Sequence, residues 1–338
     1  MNRIVLITAL ILAAAVAAFP QCQSFVTNLA TPDWAYGIDV QGQYAYIAVA
    51  AQGLLIVDVS NPASPFQAGQ FDAASISEGV YAEGDYAYLA AGTSGLRVIN
   101  VSNPAAPSEV GFYNTSGGAK DVAVRGNYAY VADNQNGLVV VNVSNPANPT
   151  FAGGVDTPEF AVRVDVQGDY AYVADTGGGL RIIDILDPSN PVEVGDQPTP
   201  GWAYDVEVHG DLAFVAANDR GVRIIDVSNP FSPNEVGFFF DGQAATQGVA
   251  YDGRFIYLPE RQYGFQVVDA ADITNPVDEG SVDTDEIAYN VALTSDGLFA
   301  LVTDREGGLN VFDISECVLI FADGFELGNT SRWSSSQP

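Results

Sequence analysis

Short apolar runs alternate with glycine- and proline-rich turns along nearly the whole chain, in groups of four. In one group, residues 121–124 follow an alternating pattern and residues 128–132 are aromatic, β-branched or small. Residues 138–143 are almost continuously apolar, as in a strand covered on both faces, and residues 151–155 form a looser fourth run. Four short runs separated by turn residues predict one four-stranded antiparallel sheet.

This group of four recurs at a nearly constant spacing. The third run of each group ends in an acidic or amide residue, and successive occurrences are 42, 42, 42, 42, 43 and 44 residues apart. A period of this length is the signature of a repeat architecture. A residue needed in every unit is needed by the unit itself, so we predict that these residues cap a turn. They are Asp58, Asn100, Asn142, Asp184, Asp226, Asp269 and Asp313.

A single unit of this size cannot bury both faces of its sheet, whereas units arranged around an axis cover one another. The sequence therefore predicts an all-β fold, a seven-bladed β-propeller of four-stranded antiparallel blades. An open stack or a sandwich is the alternative, although sandwiches rarely keep so strict a period.

The two ends of the repeat region predict how the ring closes. The first three runs occur seven times, but the last group ends after Asp313 without a fourth run. Residues 26–36 align with residues 194–204, because both segments end in Thr-Pro-x-Trp-Ala-Tyr. The N-terminal segment is therefore predicted to supply the outer strand of the last blade. In this register Cys22 and Cys317 fall in the same turn, which predicts a disulfide, with two separate thiols as the alternative.

The repeated motif also resembles that of a known family. Leu-Leu-Ile-Val-Asp at residues 54–58 follows Tyr-Ala-Tyr at 44–46 and precedes a Ser-Asn-Pro turn. With these motifs the chain resembles the LVIVD-repeat family of exported β-propeller proteins over roughly residues 25–315. The last three blades depart from the motif, since Leu-Ala-Phe replaces the tyrosine pair at 212–214 and Asp272 replaces the turn asparagine. The resemblance implies a secreted or surface-exposed propeller.

Both ends of the chain differ from the repeats. Arg3 precedes an apolar run at residues 4–18, which is shorter than the roughly 20 residues that span a bilayer. Residues 1–18 are therefore predicted to be a secretory signal peptide, with an uncleaved anchor as the alternative. Residues 22–317 form the predicted propeller. Residues 318–338 form a C-terminal tail, interpreted either as a sorting segment or as a disordered end.

Charge narrows the range of partners. The chain of 338 residues has 42 acidic residues against 12 basic ones and a formal net charge of −30. Such a surface repels nucleic acid and anionic membranes, and we expect a self-repelling monomer. Together with the signal peptide, the charge predicts a secreted, periplasmic or cell-surface protein. Its expected partner is an extracellular ligand, either a carbohydrate or a protein.

Positions that differ between blades are the better candidates for function. In a propeller, the loops joining fourth to first strands and second to third strands share one face around the channel. Here that face combines aromatic and charged groups, which suits a sugar, a peptide or an anionic ligand. The alternative is a solvated rim in which the two tryptophans pack between blades. The candidate ligand-binding residues are Trp34, Tyr36, Lys120, Asp121, Arg163, Trp202, Tyr204, Asp205, Arg220, Arg261, Tyr289 and Arg305.

Signals for catalysis and metal binding are weak. The one histidine, His209, is predicted to lie in a hairpin turn on the opposite face, which argues against a histidine triad or a zinc site. We predict no cofactor, with calcium at residues 282–286 as an open exception. A binding module is the favoured function. The alternatives are a glycoside or lactone hydrolase that uses channel carboxylates such as Asp121 or Asp205, and a purely structural surface protein.

Overall fold

The computed structural model describes residues 22–73, 75–242 and 245–317, and the predicted signal peptide and C-terminal tail lie outside these ranges. Within them, 28 strands form seven four-stranded antiparallel sheets, and a short 3-10 helix, η1 (Ala50–Gln52), separates two strands of the first blade. In chain order the strands are β1 Ser24–Leu29, β2 Ala35–Gln41, β3 Tyr44–Val49, β4 Gly53–Asp58, β5 Phe66–Phe71, β6 Gly79–Glu83, β7 Tyr86–Ala90, β8 Leu96–Asn100, β9 Ser108–Tyr113, β10 Asp121–Arg125, β11 Tyr128–Ala132, β12 Leu138–Asn142, β13 Thr150–Val155, β14 Arg163–Gln167, β15 Tyr170–Ala174, β16 Leu180–Asp184, β17 Val192–Gln197, β18 Asp205–His209, β19 Leu212–Ala216, β20 Val222–Asp226, β21 Asn234–Phe239, β22 Ala250–Tyr251, β23 Phe255–Pro259, β24 Phe265–Asp269, β25 Val277–Val282, β26 Asn290–Leu293, β27 Phe299–Asp304 and β28 Gly308–Asp313.

Each blade is a meander that runs from an inner first strand to an outer fourth strand. The first six blades are β2–β5, β6–β9, β10–β13, β14–β17, β18–β21 and β22–β25. The seventh has the order β1-β28-β27-β26, so its outer strand comes from the other end of the chain. The predicted seven-bladed propeller is therefore confirmed.

A strand pair and a disulfide both close the ring at the seventh blade. Strand β1 pairs antiparallel with β28, with Ser24 opposite Asp313 and Leu29 opposite Leu309. The Cys22–Cys317 disulfide lies beside this pairing, with the two Cα atoms 4.7 Å apart and both side chains buried. The predicted strand exchange and the predicted disulfide are both confirmed.

The repeated acidic or amide residue caps a turn in every blade. It ends the third strand, and its Oδ1 atom accepts a hydrogen bond of 2.8 to 3.2 Å from the backbone N–H two residues further on. This is the local hydrogen bond that Asp and Asn make in turns. The prediction of a structural role is confirmed for all seven residues.

The hydrophobic core lies between neighbouring blades. For example, Val122, Val131 and Val141 of the third blade pack with Tyr88 and Leu96 of the second. Both faces of most sheets are covered in this way, so the third strands show little alternation of apolar and polar residues. Each repeat of the sequence therefore forms one sheet, and the core forms only where one sheet packs against the next.

One glycine of the outer strand brings each blade very close to the next. A Cβ atom added to Gly195 would collide with the carbonyl oxygen of Pro230, and one added to Gly111 would collide with that of Pro146. Both glycines lie where the register shifts between the third and outer strands. The contact between blades at this position therefore requires glycine, because a side chain would overlap the backbone of the next blade.

Substitution of this glycine is expected to weaken the contact between blades. Gly195→Ala should lower the free energy of unfolding by about 1 to 3 kcal/mol, the usual cost of overpacking, as measured by chemical denaturation. Gly177→Ala is the matched control, because its added Cβ would meet no atom closer than 3.8 Å. Equal stabilities for the two variants would show that the close approach carries no energetic weight.

Candidate functional site

Two sets of loops meet at one end of the propeller, as the sequence predicts. Residues of the turns between second and third strands form isolated bridges with the loops that lead into the next inner strand, for example Asn134 with Ala161 and Thr176 with Ala203. We call this end of the molecule, formed by these turns and loops, the crown end. The hairpins between first and second strands lie at the other end.

Apolar side chains lie on the loops at the crown end. They occupy equivalent positions in five blades. Each directly precedes the residue whose backbone bonds to the turn between the second and third strands of the preceding blade, which is Ala35, Ser77, Ala161, Ala203 or Ala288. The exposed fractions of the first four side chains are 40%, 53%, 43% and 59%, and the fifth is half-buried. Both tryptophans are therefore exposed rather than packed away between blades. We call these residues the apolar crown: Trp34, Ile76, Phe160, Trp202 and Ile287.

Sequence reasoning found only the two tryptophans of this set. It missed Ile76, Phe160 and Ile287, which share a register position with them and no single residue type. Reading one register position through all seven repeats would have found them.

The residues at the top of the inner strands form a ring just inside the apolar crown. The rings of Tyr36 and Tyr289 are 5.0 Å apart between centroids, and Lys120 Nζ lies 2.6 Å from Glu78 Oε1. The charge of Lys120 is therefore already paired. The full upper ring is Tyr36, Glu78, Lys120, Val162, Tyr204, Gln247 and Tyr289.

Arg305 is surrounded by aromatic rings at the crown end. Its guanidinium carbon lies 5.5 Å from the ring centre of Trp34, 5.7 Å from that of Tyr36 and 5.3 Å from that of Tyr289. Such cation–π contacts hold a guanidinium in place without neutralising its charge. Burial raises the pKa of Tyr36, and the charge of Arg305 offsets only part of that effect, so this phenol stays neutral.

A second aromatic pair lies near Arg261. The rings of Trp202 and Tyr204 are 6.3 Å apart. Burial raises the pKa of Tyr204, and the positive charge of Arg261 opposes that rise. Arg220 has an exposed side chain, and its guanidinium lies 4.0 Å from the carboxylate of Asp219. The structure thus brings most of the sequence-predicted residues to one end, around two clusters.

Asp121, Arg163 and Asp205 lie below the upper ring, inside the channel, and not on the exposed face. Arg163 Nε is 3.7 Å from Asp205 Oδ1, and its guanidinium carbon is 5.7 Å from the ring centre of Tyr289 in the seventh blade. Only 5% of Arg163 is exposed. The side chain of Arg163 in the fourth blade therefore reaches inner-strand residues of the fifth and seventh blades.

The channel carboxylates link neighbouring inner strands. Asp121 Oδ2 accepts a hydrogen bond from Val164 N at 3.1 Å, and Asp205 Oδ2 accepts one from Val249 N at 3.1 Å, each in the next blade. Burial raises the pKa of Asp121 to about 6 and that of Asp205 to about 7, although Arg163 lowers both. These hydrogen bonds indicate a structural role for the two carboxylates.

A cavity of about 390 Å³ lies in the channel, and Arg163 is one of its lining residues. Asp39, Tyr81, Asp165 and Glu207 contribute to its lining. Asp39 and Asp165 repeat the link between blades, since each accepts a backbone N–H from the next blade at 2.7 Å. Burial raises the pKa of Asp39, Asp165 and Glu207. The sequence did not single out this acidic cavity, because its members come from separate blades.

The remaining predictions concern His209 and calcium. His209 ends β18 at the hairpin end, away from the crown, where its ring lies 5.4 Å from that of Tyr251. At residues 282–286, the backbone N–H of Glu286 donates to Asp304. Within the ranges that the structure covers, no three acidic, histidine or cysteine side chains converge to hold a metal ion.

Seven four-stranded antiparallel sheets, closed into a ring by the N-terminal strand, define a seven-bladed β-propeller. The family model described as the LVIVD repeat matches residues 34–73, 76–115, 116–157, 160–199, 200–241 and 243–284. This protein belongs to the LVIVD-repeat family. The matches end before the seventh blade, whose outer strand comes from the N-terminal segment.

Solved structures with similar folds have very different sequences. The β-propeller domain of Cps50 (Swd1) from Myceliophteria thermophila is 12% identical, with a TM-score of 0.69. The computationally designed protein Ika8 is 8% identical, with a TM-score of 0.64. In each case 86% of this chain and 99% of the other chain are covered. No curated protein matches the chain. These similarities concern the fold alone.

Two observations bear on location. Across the described ranges, no helix is long and apolar enough to cross a bilayer. The Cys22–Cys317 disulfide is of the kind that persists in oxidising compartments. The disulfide is compatible with an extracellular or periplasmic protein.

Proposed function

We propose that this protein is an exported binding module that holds a peptide segment of a partner protein at its crown end. The observation that carries the proposal is the apolar crown, in which five blades each place an apolar side chain at one end of the propeller and four of these are at least 40% exposed. Exposed apolar patches with a polar rim mark interaction sites. Tryptophan, tyrosine and arginine, the residues gathered here, are those that dominate binding energy at interfaces.

The composition of the apolar crown favours a peptide over a sugar. A sugar ring stacks on flat aromatic faces, which Trp34, Phe160 and Trp202 offer, but Ile76 and Ile287 have none. A mixture of aliphatic and aromatic side chains instead suits the varied side chains of a peptide. The disulfide and the predicted signal peptide support the exported location.

Removal of either crown tryptophan is expected to weaken ligand binding. Trp34→Ala and Trp202→Ala should each raise the dissociation constant about tenfold or more, because each removes a large exposed anchor. Ligands found on immobilised peptide and glycan arrays would be measured by titration calorimetry. Phe66→Ala is the matched control, since Phe66 is 56% exposed on an outer strand. Binding by both tryptophan variants at the wild-type level would contradict the site assignment.

Hydrolase activity is the second candidate, and one observation favours it. Asp121 and Asp205 both line the cavity and have pKa values raised to about 6 and about 7, a range suited to general acid–base catalysis. Their hydrogen bonds to the next blade weigh against this role. Turnover of a glycoside or lactone that Asp205→Asn abolishes would replace the binding proposal. A protein that neither binds a ligand nor turns one over would instead support a purely structural role.

A further inference from the structure

We infer that the crown end recognises one carboxylate of an acidic peptide through Arg305, with an apolar side chain of the same peptide packed on the apolar crown. This inference rests on the proposed function and specifies its ligand. Arg261 in the neighbouring blade adds a second positive charge at the same end.

The charge of Arg305 is not paired with any carboxylate of the described residues. Among the described residues, no ion pair includes Arg305 or Arg261. The Nε atom of Arg305 is buried and has no hydrogen-bond partner. In a chain with 42 acidic residues, a guanidinium held by three aromatic rings without a carboxylate is free to receive one from a ligand. A guanidinium presents a planar fork of N–H donors that matches a carboxylate.

Arg261 and Arg305 occupy a turn position whose backbone conformation favours glycine or asparagine. Arg261 and Arg305 have φ angles of +39° and +29° in the turn between second and third strands. Positive φ at this position belongs to the repeat turn, because Asn134, Thr176 and Asn218 share it in other blades. The turn therefore does not require arginine, and the guanidinium of Arg305 instead lies among three aromatic rings. The equivalent residues in other blades are Gly92, Asn134, Thr176 and Asn218.

The overall charge of the protein limits how many carboxylates the ligand carries. A net charge of −30 repels polyanions such as uronate polysaccharides and nucleic acids at long range. A peptide with a single carboxylate among apolar residues is only weakly repelled and can still contact Arg305. Trp34 lies against Arg305, at 5.5 Å from the guanidinium carbon. The apolar group of the ligand is therefore expected directly beside its carboxylate.

The experiment compares acidic and neutral peptides on wild-type and variant proteins. The probes are two fluorescein-labelled peptide libraries, one with a single Asp or Glu flanked by Phe, Leu or Ile, and one with Asn or Gln in its place. Binding is measured by fluorescence anisotropy. Arg305→Asn is the test variant, because asparagine occupies the same turn at Asn134 and Asn218 and relieves the strain. Arg125→Gln is the matched control, since it removes one positive charge at the hairpin end.

The expected result is that wild type prefers the acidic library at least tenfold and that Arg305→Asn abolishes the preference. The melting temperature of Arg305→Asn should equal or exceed that of wild type, and Arg125→Gln should bind like wild type. Equal binding of both libraries by wild type would overturn the inference and leave the proposed function standing. Binding of polygalacturonate in place of both libraries would overturn the peptide assignment. Equal loss in Arg305→Asn and Arg125→Gln would reduce the effect to net charge and overturn it as well.

Discussion

Removal of the Cys22–Cys317 disulfide is expected to lower the free energy of unfolding by about 2 to 5 kcal/mol. The bond joins residues 295 positions apart, and in the chain-entropy view a longer closed loop gives a larger stabilisation, about 5 kcal/mol here. It also holds β1 against β28, the one strand pair that closes the ring. Without it, loss of this pairing would expose the faces of the first and last blades.

The measurement compares wild type with the Cys22→Ser/Cys317→Ser double variant by chemical denaturation. Substitution is preferable to reduction of the native protein, because Cys22 and Cys317 are only 5% and 0% exposed. Adding a reductant to the double variant is the control and should change nothing. A double variant as stable as wild type would show that pairing of β1 with β28 closes the ring unaided.

The protein is expected to be more stable near pH 5 than near pH 8. Burial raises the pKa of Asp121 to about 6, that of Asp205 to about 7, and that of Asp165 above its ordinary value. The folded state therefore binds more protons than the unfolded state between pH 3.8 and about 7. The stabilisation is complete below this window and is lost as the pH rises through it. For Asp205, a rise from 3.8 to about 7 corresponds to about 4 kcal/mol.

Two further effects shape the pH profile. Protonation reduces the self-repulsion of a chain with a net charge of −30, which acts in the same direction. Below about pH 4 the trend should reverse, because hydrogen bonds from serines lower the pKa of turn carboxylates such as Asp187 and Asp226. Their contribution is lost as the pH falls through those lowered values.

Melting temperatures from pH 4.5 to 8.5 at constant ionic strength would measure this profile. Asp205→Asn should flatten it, because an amide does not titrate. Asp85→Asn, on an exposed hairpin, is the control and should leave the slope unchanged. Equal slopes in the two variants would show that the channel carboxylates do not govern the pH dependence.

The closure of the ring could be predicted because it follows from alignment within one chain. The Thr-Pro-x-Trp-Ala-Tyr segments at 31–36 and 199–204 place the N-terminal residues in the register of an outer strand. The same register brings Cys22 and Cys317 into one turn. Strand β1 and the disulfide confirm both steps. Each step needed only the repeat spacing, which the packing of sheet on sheet imposes.

The candidate site could be predicted only in part. The sequence predicts that the variable loops with aromatic and charged residues share one end, because the repeat assigns each loop to an end, and the structure places these loops together at the crown end. The depth of each side chain was not predictable. Arg163 lies in the channel and reaches the seventh blade, whereas Arg305 lies at the rim among three rings. Both are simply arginines at variable positions in the sequence.

The sequence by itself determined the number of blades, the strand exchange, the disulfide and the turn-capping role of the repeated Asp and Asn residues. These features depend on period and local hydrogen bonding, which are written along the chain. Only the tertiary structure decided that the apolar crown is exposed, that no described carboxylate pairs with Arg305 and that the channel carboxylates join neighbouring blades. Those features depend on distances across a ring, between residues from 42 to more than 250 positions apart in the chain, which no local pattern encodes.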